Sequence, residues 1–279
     1  MNNLKKIILI LTIFPFCGAT GFAQTHRFIY ELKYKTDSTS EHYEKENAVL
    51  DITGNNVQYY EYQAIEYDSI NTNSPINSFS SYDFSIAKLK RELASETNKN
   101  YYLLNDTYWV FESNDAIDWK LEPDMKQVGE WKVQRATANF GGRHWTAWFA
   151  NEIPFPEGPY KFNRLPGLVV EVSDSKNNYL FNLAKIEHPK NPNTNIVETL
   201  FKKKPMPISF EKYQKLLLDF YSDPYHRFRN MEEGTWSIGI TDGTEVKTKE
   251  GLNKITKEKQ ERIRKENNPI ELDKAIKYN

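Results

Sequence analysis

Apolar and polar positions alternate with a period of two over most of the chain up to residue 186, and that rhythm predicts strands. Phe28, Tyr30, Leu32 and Tyr34 share one face of a first strand. A polar turn at 37–40 leads into a second strand over 43–52, and Gly54-Asn55-Asn56 turns the chain into a third over 57–62. The pattern resumes over 101–104, 108–112, 117–121 and 131–136, with turns at Asn105-Asp106 and near Gly129. Residues 168–172 and 179–186 flank a polar run at 174–178 and read as a hairpin. Two stretches change period. Tyr82, Ile86, Leu89 and Leu93 recur at helical spacing after a polar loop over 70–81, which predicts an amphipathic helix over 82–94. Tyr213, Leu216, Leu217 and Phe220 predict a second helix over 211–221, stopped by Asp223-Pro224. One short strand is expected around Trp236.

Together these elements predict a mainly β fold of the α+β kind, a curved antiparallel sheet or half-barrel with one or two packed helices. The β-rich domain is expected over 24–243. From residue 244 Lys and Glu dominate, with sparse Leu252, Ile255 and Ile263. This predicts a charged helix over 252–265 or a disordered tail, ended by Pro269.

The stretch 136–181 is the organising one. Gly141-Gly142 supplies a turn at φ > 0 before a strand in which Trp145, Ala147 and Phe149 face one way and His144, Thr146 and Trp148 the other. Pro154, Pro156 and Pro159 remove three N–H donors, so 153–159 reads as a stiff surface loop. Pro166-Gly167 reads as a type II turn with Gly at φ > 0.

The run Gly158-Pro159-Tyr160-Lys161-Phe162-Asn163-Arg164-Leu165-Pro166-Gly167-Leu168-Val169 resembles the GLPGLI family of secreted Bacteroidetes proteins. Ala136-Thr137 and Gly142-Arg143 upstream, and an ending on Asn267-Asn268-Pro269-Ile270-Glu271-Leu272, extend the resemblance over nearly the whole chain after residue 23. Arg164 stands where the signature has its first Gly, and Val169 where it has its last Ile. Either position 164 does not need φ > 0, or a strained Arg sits there. The resemblance implies a fold and an exported location; it implies no chemistry.

Composition adds a destination. Lys5 and Lys6, a short apolar run over 7–16 and the small residues Gly21 and Ala23 read as a signal peptide over 1–23, cleaved before Gln24. A lipoprotein signal using Cys17 competes, but bulky Phe16 precedes that cysteine. Cleavage leaves no cysteine and no segment apolar enough to span a bilayer. It also moves the net charge from −1 to about −3, which gives no electrostatic case for nucleic acid. The expected setting is periplasmic or extracellular.

Chemistry is sparse. His26, His42, His144, His188 and His226 show no metal-ligand spacing, so no metal and no cofactor is expected. No Gly-x-Ser-x-Gly elbow, P-loop or dinucleotide turn occurs. Trp109, Trp119 and Trp131 lie on successive strands and read either as core or as an aromatic ligand cleft. Arg143-His144 beside Trp145 and Trp148 has two readings: a recognition patch, or an arginine paired on a neighbouring strand and a satisfied histidine. With the proline loop as a preorganised contact, the candidate ligand- or partner-binding set is Arg143, His144, Trp145, Trp148, Phe155, Tyr160 and Arg164. No catalytic residue is assigned. The leading expectation is a non-catalytic exported protein that binds an outer-membrane or other envelope partner, or an apolar ligand held on a concave aromatic face. The alternative is a hydrolase acting on envelope or imported material, which needs a histidine within reach of a carboxylate and a hydroxyl. A third reading makes the protein a structural envelope component, anchored by Lys202-Lys203-Lys204 or by the tail.

Overall fold

A computed structural model describes residues 24–73, 86–240 and 243–278. Residues 1–23, where a signal peptide is expected, lie outside the described residues, Cys17 among them. The alternating segments form β1 (Thr25–Tyr34), β2 (Glu44–Thr53), β3 (Asn56–Glu61), β4 (Lys88–Glu92), β5 (Thr97–Leu104), β6 (Thr107–Asn114), β7 (Lys120–Val128), β8 (Trp131–Phe140), β9 (Arg143–Ala150), β10 (Leu168–Asp174) and β11 (Tyr179–Glu187). With a two-residue β12 (Met206–Pro207) they make one large curved, unclosed sheet, ordered β12-β6-β5-β4-β3-β2-β1-β11-β10-β9-β8-β7. Among the described strands only β12 pairs in parallel. The first strand therefore sits near the middle, between β2 and β11. The edge strand β7 carries Pro123, and its register breaks between Leu121 and Met125.

The helices are α1 (Gln63–Asn73), α2 (Ile196–Thr199), α3 (Phe210–Ser222), α4 (His226–Arg229) and α5 (Lys249–Lys265). Ser209 caps α3 and Thr248 caps α5, each accepting from a backbone N–H three residues on. The helix expected over 82–94 is corrected: residues 82–85 lie outside the described residues, and Lys88–Glu92 is a strand. Leu89 packs there in the sheet, opposite Tyr59 on β3 and Asn100 on β5, so hydrogen-bonded neighbours on both sides override a local 3.6 period. The helix forms earlier, at Gln63–Asn73, where the sequence shows almost no amphipathic stripe. A strand pair at Ile238–Gly239 (β13) and Glu245–Val246 (β14) lies apart from the main sheet. No helix among the described residues is long and apolar enough to cross a membrane.

Each face of the sheet is packed differently. The inner face carries the main core, including Phe28, Tyr30, Leu50, Tyr59, Trp145, Phe149 and Phe181. Residues 151–167 cross it as a strap, placing Tyr160, Phe162 and Leu165 in that core. Phe162 is in ring contact with Trp145 at 4.5 Å and with Phe181 at 5.9 Å. The outer face over β2, β3, β5 and β6 is covered by α1 and α2 through Val49, Tyr60, Tyr101 and Tyr108 against Ala64, Tyr67, Val197 and Phe201. Over β8–β10 the outer face has a small cluster of its own, Val133, Ala150 and Val170, roofed by Val128, Trp131 and Trp148.

Candidate functional site

The glycines at the head of β9 adopt the expected positive φ, +60° at Gly141 and +72° at Gly142. They also admit close neighbours: a Cβ on Gly141 would lie 3.0 Å from the Glu271 Cα, and one on Gly142 3.0 Å from the Asp273 nitrogen. Gly167 departs from the expectation. It is not at positive φ; it is bare because a Cβ would lie 2.1 Å from the Ala150 carbonyl oxygen.

Arg143 is buried, and all three guanidinium nitrogens donate. It donates to Asp174 (3.0 Å), to the carbonyls of Ile270 (3.0 Å) and Pro269 (2.7 Å), and to the Asn268 side chain (2.7 Å). Its guanidinium lies 4.9 Å from the Tyr179 ring centroid. Tyr179 donates to the Asn268 carbonyl at 2.8 Å, and Asn268 donates to the Lys35 carbonyl at 2.6 Å. Arg143 thus follows the paired reading: it meets Asp174 on a neighbouring strand and also grips the chain's own C-terminal segment. The tail is correspondingly ordered. Asn268 and Glu271 are buried, and the Leu272 N–H donates to the Gly141 carbonyl at 2.6 Å.

Next to this clamp the strap closes on β4–β6 through buried charges. Arg91 donates two bonds to Glu157, at 3.0 and 2.5 Å, and both side chains are fully buried. Glu157 also accepts from the Ala94 N–H at 2.6 Å. Lys161 bridges Asp115 (3.0 Å) and Glu271 (2.6 Å), Lys274 pairs with both carboxylates, and Tyr160 donates to Glu271. Burial alone would raise the Asp115 carboxyl, but Lys161, Ser113 and Lys274 outweigh it and hold it below its ordinary value. Burial and the Glu271 carboxylate push the Tyr160 phenol well up. A cavity of about 170 Å³ adjoins the cluster, walled by Tyr102, Phe111, Phe210 and Tyr213 and floored by Lys161, Glu271 and Lys274. The charges pair with one another, so the cluster ties the strap, the end of β6 and the C-terminal segment together.

The remaining expected residues separate by face. Trp145 is completely buried and donates to the Phe140 carbonyl at 2.9 Å. Tyr160 lies in the same core. His144 is exposed and bonds Asn139 at 3.0 Å. Trp148 is half-buried on the outer face, with the Lys126 ammonium 4.4 Å from its ring centroid and Lys126 paired to Glu171. Phe155 packs beneath His26, centroids 4.7 Å apart. Arg164 has a positive φ of +68° and reaches Glu96. The residues therefore form no single site. Trp119 donates to the Asn163 carbonyl of the strap at 3.0 Å, and Trp131 joins the outer cluster. The concave face expected to hold an apolar ligand is filled by the strap and by aromatic side chains.

The sequence hid two clusters. The ion network draws on residues from 91 to 274, and no local spacing signals it. His26 and His188 meet with ring centroids 4.9 Å apart, because β1 and β11 pair with Arg27 opposite Glu187. Burial and the neighbouring His188 lower the pKa of His26. No histidine ring among the described residues reaches both a carboxylate and a hydroxyl, so the arrangement a histidine-dependent hydrolase needs is not found there. Among the same residues no group of three or more His, Cys, Asp or Glu is placed to hold a metal.

No protein-family model matches the chain, and no curated protein matches it. Among solved structures it resembles PNGF-II in a C2 crystal form, with a TM-score of 0.52 and 13% identity over 80% of this chain and 37% of that one. The P21 form of PNGF-II gives the same TM-score at 11% identity, over 78% and 37%. The chain spans little more than a third of the length of PNGF-II, and the likeness is one of fold.

Proposed function

We propose that the protein is an exported, non-catalytic binding protein of the cell envelope, and that it meets its partner through the outer face of β7–β10 around Trp148. The observation that carries this reading is the division of the sheet. The inner face is filled by the strap, and α1 and α2 cover the outer face over β2, β3, β5 and β6. The aromatic pair Trp131 and Trp148 roofs the other half, with no helix of the described residues packed in its cluster. Half-exposed tryptophans ringed by Lys126, Glu171 and Arg135 offer apolar contact with a polar rim, the anatomy of a contact surface. The run over 158–169 supports placing the chain beside the GLPGLI family, and the residues of 1–23 support export.

The test is capture from an envelope extract with the chain from residue 24 onward, beside a Trp131→Ala/Trp148→Ala double variant of unchanged circular dichroism. A partner held by the parent and lost from the variant is the expected result. The same partners in both would remove the outer face from the proposal. Arg143 and Trp145 are unsuitable for this test, because both are interior and their replacement would probe folding.

A further inference from the structure

The segment from Asn267 to Leu272 lies outside any sheet, yet it is held like a bound peptide. Its main-chain carbonyls at 268, 269 and 270 are read by Tyr179 and Arg143 side chains. The Asn268 amide is read on both sides, accepting from Arg143 and donating to the Lys35 carbonyl. Glu271 places its carboxylate on Lys161 and Tyr160. Pro269 offers a carbonyl, needs no donor partner and lowers the cost of ordering the segment.

The receiving side is organised without the segment. Asp174 holds Arg143 from behind at 3.0 Å and is itself fixed by the Tyr179 N–H at 2.9 Å. Asp115 holds Lys161 at 3.0 Å. Gly141 and Gly142 leave the backbone bare where residues 271–273 approach. These are the features of a preorganised receptor: fixed cationic forks, an aromatic wall and a glycine floor.

We propose that this groove is a peptide-binding site which accepts, in trans, an extended segment of the pattern Asn-Pro-apolar-Glu, and that residues 268–271 are its occupant in cis. The tether gives that occupant an effective concentration on the order of millimolar, so a free peptide competes only after the tether is cut. This proposal stands independently of the outer-face reading, because the two surfaces lie on opposite sides of the sheet.

The test uses the whole chain with a protease site introduced after Glu266, which is exposed at the end of α5. The protein is folded first, then nicked, and mixed with a fluorescent peptide of residues 267–279. The expected result is saturable one-to-one exchange into the nicked protein and none into the uncut one. Peptides carrying Glu271→Gln or Asn268→Ala should bind at least tenfold more weakly. Three results would each overturn the proposal. The nicked protein keeps its fold but takes up no peptide, or it takes up parent and variant peptides equally. Otherwise it unfolds on nicking, and excess peptide fails to restore its circular dichroism.

Discussion

At the scale of single residues, burial decides what each charge is worth. Arg91 and Glu157 have no solvent to fall back on, so removing either strands the other. Arg91→Ala should cost about 3–5 kcal/mol in urea unfolding, well beyond a surface change. Trp145→Ala should cost a similar ~3–5 kcal/mol by opening a cavity against Phe162. Arg164 is a different case. A left-handed backbone costs a non-glycine residue roughly 1–2 kcal/mol. Arg164→Gly removes that strain but adds unfolded-state freedom and loses the exposed Glu96 pair. The net change should stay within about 1 kcal/mol, whereas Arg164→Val keeps the strain without the pair and should lower the melting temperature. Position 164 thus carries a backbone, φ > 0, that a glycine adopts without strain.

At the scale of elements, the sequence was most legible where one interaction dominated. The 168–186 hairpin, the two faces of β9, the positive φ of Gly141-Gly142 and the α3 stripe ending at Asp223-Pro224 are all local, and each formed as the pattern predicts. The 82–94 helix failed over its described part because Leu89 takes its place between strands β3 and β5, which lie outside that window, and Leu93 falls in the turn after β4. The candidate site was half legible. Pairing of Arg143 was one of its two readings, but a partner 125 residues downstream in the same chain lies beyond any local pattern. The tail illustrates the same point: Lys and Glu richness left a charged helix and a disordered tail both open, and α5 forms, while buried Asn268 and Glu271 pin the segment beyond it. Deleting 267–279 should therefore lower stability, by leaving Arg143, Tyr160 and Lys161 short of partners in the interior. Thermal denaturation of the truncated and full chains would check it, and equal midpoints would contradict it. At the strap's exit, Gly167→Ala should destabilise by at least the ~1–3 kcal/mol of overpacking, since the Ala150 backbone cannot retreat from a Cβ without breaking the β9–β10 pairing.

Across the whole molecule, stability should fall on the acid side in two steps. The pKa of His26 is lowered in the folded state, so the unfolded chain binds the proton more readily. That contribution is present above about pH 6.5 and is lost as pH falls below it. Asp115 is also lowered, so its contribution persists above its ordinary value and is lost as pH falls through the folded one. Urea midpoints measured from pH 8 to pH 3 should decline across both windows. His26→Gln should flatten the first and leave the second, and an unchanged slope between pH 7 and 5 would refute the assignment to His26.

The central position of β1 has a consequence in time. Residues 25–34 leave the ribosome before any other part of the sheet, yet their partner on one side is residues 179–187. At synthesis rates of about 5–20 residues per second, that flank waits roughly 8–30 s for its mate. The Lys35 carbonyl waits longer still, for Asn268. A nascent chain of this topology stays open almost to its last residues, and an open chain is one that a narrow channel can thread.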